Sequence, residues 1–600
     1  MKPRAVIDLE IYSNYFLVMF KSMTDGKTKA FEFYDGHSLD KESIETNMKR
    51  FCTIGFNSIK FDLPILYLAM SGASNRRLKE AVDNIINKGM PPWVIEDKYK
   101  FKVPKTIDHI DLIDIAPGKA SLKAYGGRIH APKLQDLPIG PAASIEPEQR
   151  ELLRAYCAND LNLTHQLHDI LLPQIKLREI MSKEYEQDLR SKSDAQIAEA
   201  VIKKEVYKIN KKMPQRPAID AGIEYKYKAP GFIKFKTKNL RNILTTIESS
   251  TFIVSEGGKI MLPEELKNFI IKIGKGEYKI GIGGLHSCEK SVSHVAAEGE
   301  HIIDRDVTSY YPAIILNCKL FPENVGEDFL TVYSSIVNRR IEAKKKGDKV
   351  TADTLKICAN GTFGKLGSKW SALYAPDLMI MTTITGQLSL LMLIELLESR
   401  KIEVISANTD GVVFKTRDQE LVNNIIESWE GITGFNTEET RYQALYSKDV
   451  NNYIAIKTDN GAKVKGQYVP PNFMKNPANE IVSEAVVKFL SFGKNIEDTI
   501  RGCLDIRKFI TLRSVKGGAV FKNEYLGKTV RWYYSTTSKD AIHYKVNGYL
   551  VARSEGCTPV MELPESLPDD INYEWYIIEA QSVLADIGWK ENENAEKQSI

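Results

Sequence analysis

The stretch VISANTDGVVFK, residues 404–415, consists of two apolar runs that flank the tetrapeptide Asn-Thr-Asp-Gly. An Asp-Gly pair between two strand-like runs predicts a β-hairpin, because both residues tolerate the backbone angles of a tight turn. Taken alone, the stretch therefore favours a structural turn. The alternative is that Asp410 is a functional carboxylate at the hairpin tip, and the remainder of the sequence decides between the two.

Length and composition predict a multidomain globular protein. A chain of 600 residues exceeds what one hydrophobic core accommodates. Hydrophobic residues make up 43% of the chain and charged residues 27%, as in soluble globular proteins. The formal charge of +4 neither requires nor excludes a nucleic-acid partner, because an acidic catalytic centre can cancel a basic groove.

Cysteine spacing and the apolar segments exclude several classes of protein. The 7 cysteines are scattered with no Cys-x-x-Cys pair, which argues against a zinc or iron–sulfur module and against a disulfide framework. The start, MKPRAVIDLEIYS, lacks the apolar core of a secretory signal. The apolar stretch LSLLMLIELLE, residues 388–398, is interrupted by Glu395 and is too short to span a bilayer. We therefore expect a cytoplasmic protein.

Four carboxylates and a phenol form the first predicted site. In AVIDLEIYS, alternate residues of a strand face opposite sides, so Asp8 and Glu10 share one face. Asp62 lies among apolar residues in IGFNSIKFDLPIL, and Tyr156 and Asp160 lie one helical turn apart in AYCANDLNLTHQL. An exposed strand face would explain the first pair alone. Together the carboxylates predict a site for two divalent cations that activates a water, held by Tyr156, for attack on a phosphodiester.

These residues resemble, in this order, the motifs Asp-x-Glu, Asn-x3-Phe-Asp and Tyr-x3-Asp of the proofreading 3′–5′ exonuclease domain of family B DNA polymerases. The segment SLKAY, between the second and third motifs, resembles the Ser-Leu segment that contacts single-stranded DNA in that family. The resemblance implies that the four carboxylates bind metal and that Tyr156 takes part in catalysis. It also implies a set of DNA-binding residues: Asn57, Phe61, Ser121, Leu122 and Lys133.

A second acidic site is predicted in IIDRDVTSYYPAIILN. A strand that ends in Asp306 and turns at Ser-Tyr-Tyr-Pro leaves backbone N–H groups free beside a carboxylate, which suits a metal-bound triphosphate. A buried aromatic strand end explains the tyrosines but not Asp306. The stretch resembles the family B motif Asp-x2-Ser-Leu-Tyr-Pro, with Tyr310 in place of leucine. The resemblance implies that Tyr311 stacks under the sugar and excludes ribonucleotides, and that Val307 is a further metal-binding position.

Two helices joined near Gly347 are predicted next. One-turn spacing places Arg340 and Lys344 on one face of the first helix, and Lys356 and Asn360 on one face of the second. A basic helical face is ordinarily only solvated, but glycines at steps of three on the second helix leave a bare face that a base pair could approach. The segment Lys-x3-Asn-Gly-Thr-Phe-Gly resembles the family finger motif Lys-x3-Asn-Ser-x-Tyr-Gly. The implied dNTP-binding set is Ser309, Tyr310, Tyr311, Arg340, Lys344, Lys356, Asn360 and Phe363.

The hairpin tip falls where the family carries Tyr-x-Asp-Thr-Asp-Ser. The resemblance makes Asp410 the second aspartate of that motif, which holds both metals together with Asp306. Asn408 replaces the first aspartate, so it offers a carbonyl oxygen but no charge, and a changed metal preference is expected. The tip aspartate is thus predicted to be a metal ligand.

The C-terminal third mixes cations, glycines and aromatic residues, as expected of a thumb that grips the duplex backbone. NNYIAI and KVKGQY resemble the primer-holding Lys-x-Tyr region of the family, with Lys465 as the expected contact to a primer phosphate. For each cation alone, a solvated surface charge is an equal alternative. The predicted DNA contacts are Tyr453, Lys465, Lys508, Lys516 and Arg531.

The expected fold is multidomain, α/β and α+β: a ribonuclease H-like exonuclease domain followed by a right-hand polymerase of palm, fingers and thumb. The lysine-rich segment 182–212 is expected to connect domains. The expected boundaries are 1–175 for the exonuclease domain, 176–277 for the connecting region and start of the palm, 278–325 and 371–450 for the two catalytic palm segments, 326–370 for the fingers, and 451–600 for the thumb and C-terminal region.

The motifs, in family order, imply a template-directed DNA polymerase with 3′–5′ proofreading and two Mg²⁺ ions per active site, Mn²⁺ being an alternative. Short intervals between the polymerase motifs leave no room for the added subdomains of protein-primed phage enzymes, so a compact bacteriophage enzyme that extends a nucleic-acid primer is expected. Its expected partners are primer–template DNA, dNTPs, a helicase, a primase and a single-strand-binding protein. A monomer without membrane contact, in the cytoplasm of an infected bacterial host, is expected.

Other functions remain open at this point. The replacement of the first aspartate by Asn408 is compatible with a nuclease whose polymerase half only binds DNA, which dNTP incorporation on a primed template would test. A non-catalytic DNA-binding or scaffold protein does not account for metal-type carboxylates in both halves. A primase-polymerase is a variant that an unprimed template would test.

Overall fold

The computed structural model describes residues 2–591 and has mixed α/β architecture with several sheets. The described chain forms two compact units. The first unit comprises residues 2–193, Pro470–Ile481 and Cys503–Tyr576. The second unit comprises Asp194–Val469, Val482–Gly502 and residues 577–591. The region expected to form the thumb, 451–600, is therefore divided between the two units.

The N-terminal part of the first unit is a sheet covered by helices on both faces. Strands β1 and β2 are antiparallel, as are β2 and β3, whereas β1, β4 and β5 run parallel, in the order β3-β2-β1-β4-β5. Its elements are β1 (Arg4–Ile11), β2 (Tyr15–Ser22), β3 (Thr28–Tyr34), α1 (Lys41–Arg50), β4 (Cys52–Gly55), α2 (Asp62–Met70), α3 (Asn75–Lys88), α4 (Pro92–Tyr99), β5 (His109–Asp111), α5 (Leu122–Arg128), α6 (Arg150–Ile170) and α7 (Leu172–Glu184).

The second unit is built on a larger sheet. In the described chain this sheet has 10 strands, in the order β18-β17-β16-β13-β15-β14-β11-β10-β9 with β12 paired to β16, and β6, β7 and β8 form a small separate sheet. The elements are α8 (Asp194–Asn210), β6 (Glu224–Tyr225), α9 (Lys238–Ser249), β7 (Phe252–Val254), β8 (Ile260–Met261), α10 (Glu264–Lys267), β9 (Ile270–Ile273), β10 (Gly276–Lys279), β11 (His286–Ser287), β12 (Val292–Val295), β13 (His301–Val307), α11 (Tyr310–Asn317), α12 (Asp328–Lys346), α13 (Lys349–Leu366), α14 (Pro376–Glu398), β14 (Glu403–Asn408), β15 (Gly411–Thr416), α15 (Gln419–Thr433), β16 (Thr437–Asp449), β17 (Asn452–Lys457) and β18 (Ala462–Val464).

Helix α14 crosses the core of the second unit. Among residues 2–591 it is the one helix long and apolar enough to cross a membrane, but 89% of its most apolar window is buried inside the protein. Glu395 near its end accepts hydrogen bonds from the backbone N–H groups of Lys236 and Thr237. The helix is thus longer than the segment 388–398 considered from the sequence, and its burial is that of a core helix.

The segment 182–212, expected to connect domains, contains the boundary between the two units, which lies after Ser193. Its C-terminal part is α8, which packs along α12 and α13 and forms a three-helix group with them. Glu199 on α8 pairs with Lys365 on α13 at 2.9 Å. Gly361 on α13 permits this close approach, because a Cβ there would lie 2.8 Å from the Cβ of Ala198. Helix α8 therefore covers Gly361, whereas a Cβ at Gly364 would meet nothing within 4 Å, and approach of a base pair to the glycine face stays a prediction.

The chain after residue 469 adds a second sheet to the first unit, in the order β21-β19-β20-β22. Leu512 of this sheet fits against Gly127, where a Cβ would lie 2.4 Å from the leucine methyl carbon. The strands of this sheet are β19 (Thr511–Phe521), β20 (Glu524–Tyr534), β21 (His543–Tyr544) and β22 (Cys557–Pro559). The helices of this part of the chain, α16 (Glu480–Phe492), α17 (Ile496–Arg501) and α18 (Tyr573–Asp586), lie mostly in the second unit.

Candidate active sites

The first site lies where β1 faces α6. Ile7 and Leu9 pack into the apolar cluster of α2, α3 and α4, whereas Val6 packs with Leu153 and Leu161 of α6. Because side chains alternate along a strand, the residues at positions 8 and 10 share the side of Val6. The predicted pairing of the two carboxylates on one face is therefore the arrangement in the structure.

Helix α6 brings a phenol, a thiol and a carboxylate to the same place. Tyr156, Cys157 and Asp160 are all buried. The Cys157 thiol donates to Oδ2 of Asp8 across 3.6 Å. Burial, together with the charges of Glu10 and Asp8, raises the pKa of the Tyr156 phenol, so this hydroxyl keeps its proton at neutral pH.

A lysine that the sequence analysis did not select completes the cluster. Lys123 on α5 donates a hydrogen bond from Nζ to Oδ1 of Asp160, and Nζ lies 4.5 Å from the centre of the Tyr156 ring. Burial lowers the pKa of Lys123 to about 8, although the charges of Asp8 and Glu10 act in the opposite direction. The available signal was its position in SLKAY, directly after the predicted Ser-Leu pair.

Lys133, which the resemblance placed among the DNA-binding residues, pairs with a carboxylate outside the cluster. Its half-exposed ammonium is 4.0 Å from the carboxylate of Glu562. The ammonium that pairs with the buried carboxylates belongs to Lys123 instead. Contact of Lys133 with DNA stays a prediction.

The carboxyl groups of this site are enclosed by the protein: Glu10 and Asp62 are buried, and Asp8 is partly buried. Burial raises the pKa of Asp8 to about 6, against the opposing charge of Lys123. Burial and the charge of Asp8 raise the pKa values of Glu10 and Asp62 well above the usual range. Within residues 2–591, no group donates a hydrogen bond to the Glu10 carboxylate. Carboxyl groups buried in this way are ionised when a bound cation compensates their negative charge. Because Mg²⁺ prefers oxygen ligands, the site fits a divalent metal.

The other residues predicted to bind DNA in the first unit have defined local roles. Asn57 has a left-handed backbone (φ 60°), and its N–H donates to Oδ1 of Asp111 at 2.8 Å. The Ser121 hydroxyl caps α5 by accepting from the N–H of Ala124. Phe61 and Leu122, which neighbour Asp62 and Lys123 in sequence, are partly buried. Their contacts with DNA stay predictions.

Arg531 was wrongly predicted to contact DNA. It is 0% exposed, and within residues 2–591 the acceptors of its guanidinium hydrogen bonds are all backbone carbonyls. The acceptors are Ala131, Pro132, Val560 and Met561. A buried cation that satisfies carbonyls is structural, because no face of it remains for a phosphate. Lys516 is exposed and Lys508 is partly buried, and their contacts with DNA stay predictions.

The second site lies where β13 and β15 pair. Asp306 near the end of β13 is opposite Gly411, the first residue of β15. The N–H of Val307 donates to the carbonyl of Asp410 at 2.7 Å. Burial raises the pKa of Asp410, and the charge of Asp306 raises it further, so the two carboxylates lie close enough to repel each other. Two aspartates far apart in sequence therefore meet at one strand end.

Lys463 on β18 reaches these carboxylates, which the sequence analysis did not foresee. Its Nζ lies 2.9 Å from Oδ2 of Asp304 and 3.1 Å from Oδ2 of Asp306. Asp304 is buried and also accepts a hydrogen bond from the Tyr442 hydroxyl. Burial disfavours the charged form of Lys463, but the nearby charges of Asp304 and Asp306 favour that form more strongly. The pKa of the lysine is therefore raised. The ammonium therefore stays protonated between the two aspartates.

The side-chain amide of Asn408 at the hairpin tip forms hydrogen bonds through both its nitrogen and its oxygen. Its amide donates to the carbonyl of Val450 at 3.0 Å, and its Oδ1 accepts from the hydroxyl of Thr409. One lone pair of the Asn408 carbonyl oxygen is thus used by Thr409, and binding of a metal by the other stays a prediction. Thr409 has φ 55°, a left-handed conformation that a β-branched residue rarely adopts, and such strain is typical of functional turns.

A cavity of about 360 Å³ adjoins Asp410. The Phe363 ring stacks on Tyr311 with ring centres 4.1 Å apart, and Nη1 of Arg340 donates to the hydroxyl of Ser309 at 2.5 Å. Tyr310 also borders the cavity, but its buried hydroxyl donates to the carbonyl of Gly386. The lining residues are Val307, Ser309, Tyr310, Tyr311, Pro312, Arg340, Asn360, Phe363 and Asp410. Most of the predicted dNTP-binding residues therefore surround one space.

The two remaining residues of the dNTP-binding set line a second cavity, of about 340 Å³, between α12 and α13. Lys344 and Lys356 border it together with Arg340, so the two cavities share that arginine. The ammonium of Lys344 pairs with Glu438 at 2.6 Å, a partner that the sequence analysis did not include. Four cations, Arg340, Lys344, Lys349 and Lys356, thus line the second cavity, and Arg340 also lines the first.

Tyr453 and Lys465 lie near the aspartate pair. The N–H of Lys465 donates to the carbonyl of Tyr453 at 3.0 Å. The charge of Lys465 acts to lower the pKa of Asp410, which places its ammonium near that carboxylate. Burial raises the pKa of Tyr453 to about 12. Contact of either residue with a primer stays a prediction.

Comparisons with known proteins add little to this geometry. No family model matches the chain, and no curated protein matches it. Among solved structures, the chain is similar to the family B DNA polymerase from the hyperthermophilic archaeon Pyrobaculum calidifontis, with 15% identity and a TM-score of 0.40. The match covers 98% of this chain and 78% of that chain. A TM-score of this size does not establish a shared fold.

Proposed function

We propose that this chain is a family B DNA-directed DNA polymerase of the compact bacteriophage type, with a 3′–5′ proofreading exonuclease. The observation that carries the proposal is the meeting of Asp306 and Asp410 at one strand end, beside a cavity lined by Tyr311, Arg340 and Phe363. A carboxylate pair next to a space with aromatic and cationic walls suits a nucleoside triphosphate. The buried carboxylates around Asp8 supply the separate centre for excision.

The cations on α12 and α13 bind the triphosphate. Arg340 lines the cavity beside Asp410, Lys344 and Lys356 line the neighbouring cavity with it, and the three neutralise the charge of the phosphates. The stacked rings of Tyr311 and Phe363 form a wall against which the sugar and base of the incoming nucleotide lie. The primer 3′-hydroxyl then attacks the α-phosphorus in line with the departing pyrophosphate.

Divalent cations fit both centres. Asp306, Val307 and Asp410 would hold them in the second unit, and the four carboxylates of the first unit would hold them there. When bound, Mg²⁺, with Mn²⁺ as an alternative, supplies charge stabilisation for the entering and leaving oxygens. In the excision centre the Tyr156 hydroxyl keeps its proton and donates it as a hydrogen bond to the attacking water.

Primer-extension gels with and without dNTPs test the proposal, because they report synthesis and excision together. Asp306→Ala should abolish extension and spare digestion of single strands. The double variant Asp8→Ala/Glu10→Ala should abolish digestion and spare extension. Asp459→Ala, which removes an exposed carboxylate from the β17–β18 turn, is the matched control and should behave as wild type. Extension by the Asp306 variant, or loss of both activities in either variant, would contradict the assignment.

A nuclease whose polymerase half only binds DNA is the second candidate, and the neutral amide of Asn408, where the family motif has an aspartate, favours it. With asparagine at this position, the pair Asp306–Asp410 lacks the negative charge of the third carboxylate of the family motif. Incorporation of dNTPs on a primed template by the wild-type protein excludes this candidate. Synthesis on an unprimed template would instead identify a primase-polymerase.

The proposal also covers the primer, the oligomeric state, the partner proteins and the cellular location of the enzyme. The enzyme extends a nucleic-acid primer as a monomer, and a helicase, a primase and a single-strand-binding protein act with it. It works in the cytoplasm of an infected bacterial host. Addition of each purified partner class to the primer-extension assay tests this part, because a partner that contributes raises the length of product on duplex or long single-stranded templates.

A further inference from the structure

Cys157 contributes a sulfur atom to a cluster otherwise made of carboxylates. It follows Tyr156 on α6, is 0% exposed, and its thiol donates to Asp8. Asp8, Glu10 and Cys157 each present a ligand atom, and these atoms lie within 4.8 Å of one another. The cluster therefore contains a donor set of two oxygens and one sulfur, and sulfur is a ligand that Mg²⁺ does not favour.

The charge state of the cluster points to a cation as the missing component. Glu10 is 8% exposed, and among residues 2–591 no group donates a hydrogen bond to its carboxylate. The nearby Lys123 is already paired with Asp160. A buried, unpaired carboxylate costs free energy unless a cation compensates it, so the cluster is suited to binding one.

The distances are compatible with a shared ion after a small adjustment. Zinc binds carboxylate oxygen at about 2.1 Å and thiolate sulfur at about 2.3 Å, so ligand atoms on one ion lie roughly 3.5 Å apart. The observed limit of 4.8 Å requires movements of about 1 Å, which side-chain rotations supply.

We propose that Cys157 joins Asp8 and Glu10 as a metal ligand, and that this cluster binds thiophilic divalent cations, such as Zn²⁺, Co²⁺ and Cd²⁺, in preference to Mg²⁺. The inference takes its location from the proposed excision centre but does not require excision activity. On binding, the S–H bond breaks, the sulfur lone pair is donated to the cation, and the proton passes to solvent. A thiophilic ion held in this way occupies carboxylates that excision needs, so it should inhibit excision supported by Mg²⁺.

Cobalt titration of the purified full chain tests the inference without an activity assay. The probe is Co²⁺, and the readout is the sulfur-to-cobalt charge-transfer band in the near ultraviolet. Wild-type protein should develop the band with one equivalent of Co²⁺, and excess Mg²⁺ should not remove it. Cys157→Ser should lack the band and bind Co²⁺ at least about tenfold more weakly. Mutation of a residue that only supports a metal ligand already lowers metal affinity by about this factor, and loss of a ligand itself should lower it at least as much.

Cys557→Ser is the matched control, since Cys557 is another fully buried free cysteine of the first unit. It should keep the band at wild-type intensity. Cys157→Ala provides a second variant if the serine destabilises the fold, which thermal melting reports. Persistence of the band in both Cys157 variants, or its absence from wild type, would overturn the inference.

Failure of the inference and failure of the proposed function give different results. Wild-type protein that digests single strands with Mg²⁺ but develops no cobalt band retains the proposed excision function and refutes the role of Cys157. Wild-type protein that develops the band but digests nothing under any metal supports the cation site and refutes the excision function.

Discussion

Gly411→Ala is the sharpest test of the geometry of the second site. Gly411 pairs with Asp306 across β13 and β15, and an added Cβ would lie 2.2 Å from Oδ1 of Asp306 and 3.1 Å from the carbonyl of Arg305. Carbon and oxygen atoms normally approach to about 3.3 Å, so the carboxylate must move by about 1 Å. A displacement of that size in a catalytic group costs on the order of 100-fold in rate. We expect single-turnover dNTP incorporation to fall by about this factor.

The substitution acts on the carboxylate and should leave the rest of the protein intact. Excision by the same protein, measured on single strands, should stay at the wild-type rate and serves as an internal control. Gly431→Ala is the matched control, because a Cβ at this exposed position of α15 meets nothing within 4 Å. It should keep full incorporation and gain up to about 1 kcal/mol of stability, since alanine is the better helix former. A folded Gly411 variant that incorporates dNTPs at the wild-type rate would refute the placement of Asp306 beside Asp410.

Other predictions concern buried charge. Arg531→Met should lower the free energy of unfolding by at least about 3 kcal/mol in urea, because it leaves buried carbonyls without donors, whereas the exposed Lys516→Ala should change it by less than about 0.5 kcal/mol. The pKa of Asp8 is about 6 in the folded protein, whereas its usual value is 3.8. Ionisation of Asp8 therefore lowers the free energy of unfolding by about 3 kcal/mol above pH 6, and this loss disappears as the pH falls toward 4. Asp8→Asn should therefore be more stable than wild type at pH 7 but not at pH 4, and equal melting temperatures at pH 7 would contradict this. Lys463→Met should destabilise the protein by about 3 kcal/mol because it leaves the buried carboxylate of Asp304 without a cation, and adding Asp304→Asn should restore part of that loss; strictly additive effects in the double-mutant cycle would argue against the ion pair.

Local patterns in the sequence were sufficient to place several functional groups. The alternation of AVIDLEIYS put Asp8 and Glu10 on one face because side-chain direction in a strand depends only on neighbouring residues. The same holds for Tyr156 and Asp160, which lie one turn apart on α6. The hairpin around Asp410 also formed where its two apolar runs and Asp-Gly pair predicted it.

The sequence could not indicate which cations accompany these carboxylates. Lys123, and not Lys133, pairs with Asp160, and Lys463 reaches Asp306 from β18. Each pairing depends on how helices and strands distant in the chain are packed. The spacing of a lysine within its own segment therefore carries no information about its partner.

Sequence alone determined the residue types, their order and the faces that they share within single strands and helices, because these follow from the short-range geometry of the backbone. Tertiary structure alone decided which charges are solvated and which are enclosed. It buried Arg531 among carbonyls, bound both ends of the Asn408 amide, and covered Gly361 with α8. Solvation of a group is set by everything packed around it, so a charged residue in the sequence looks the same whether it will meet a phosphate, a carbonyl or water.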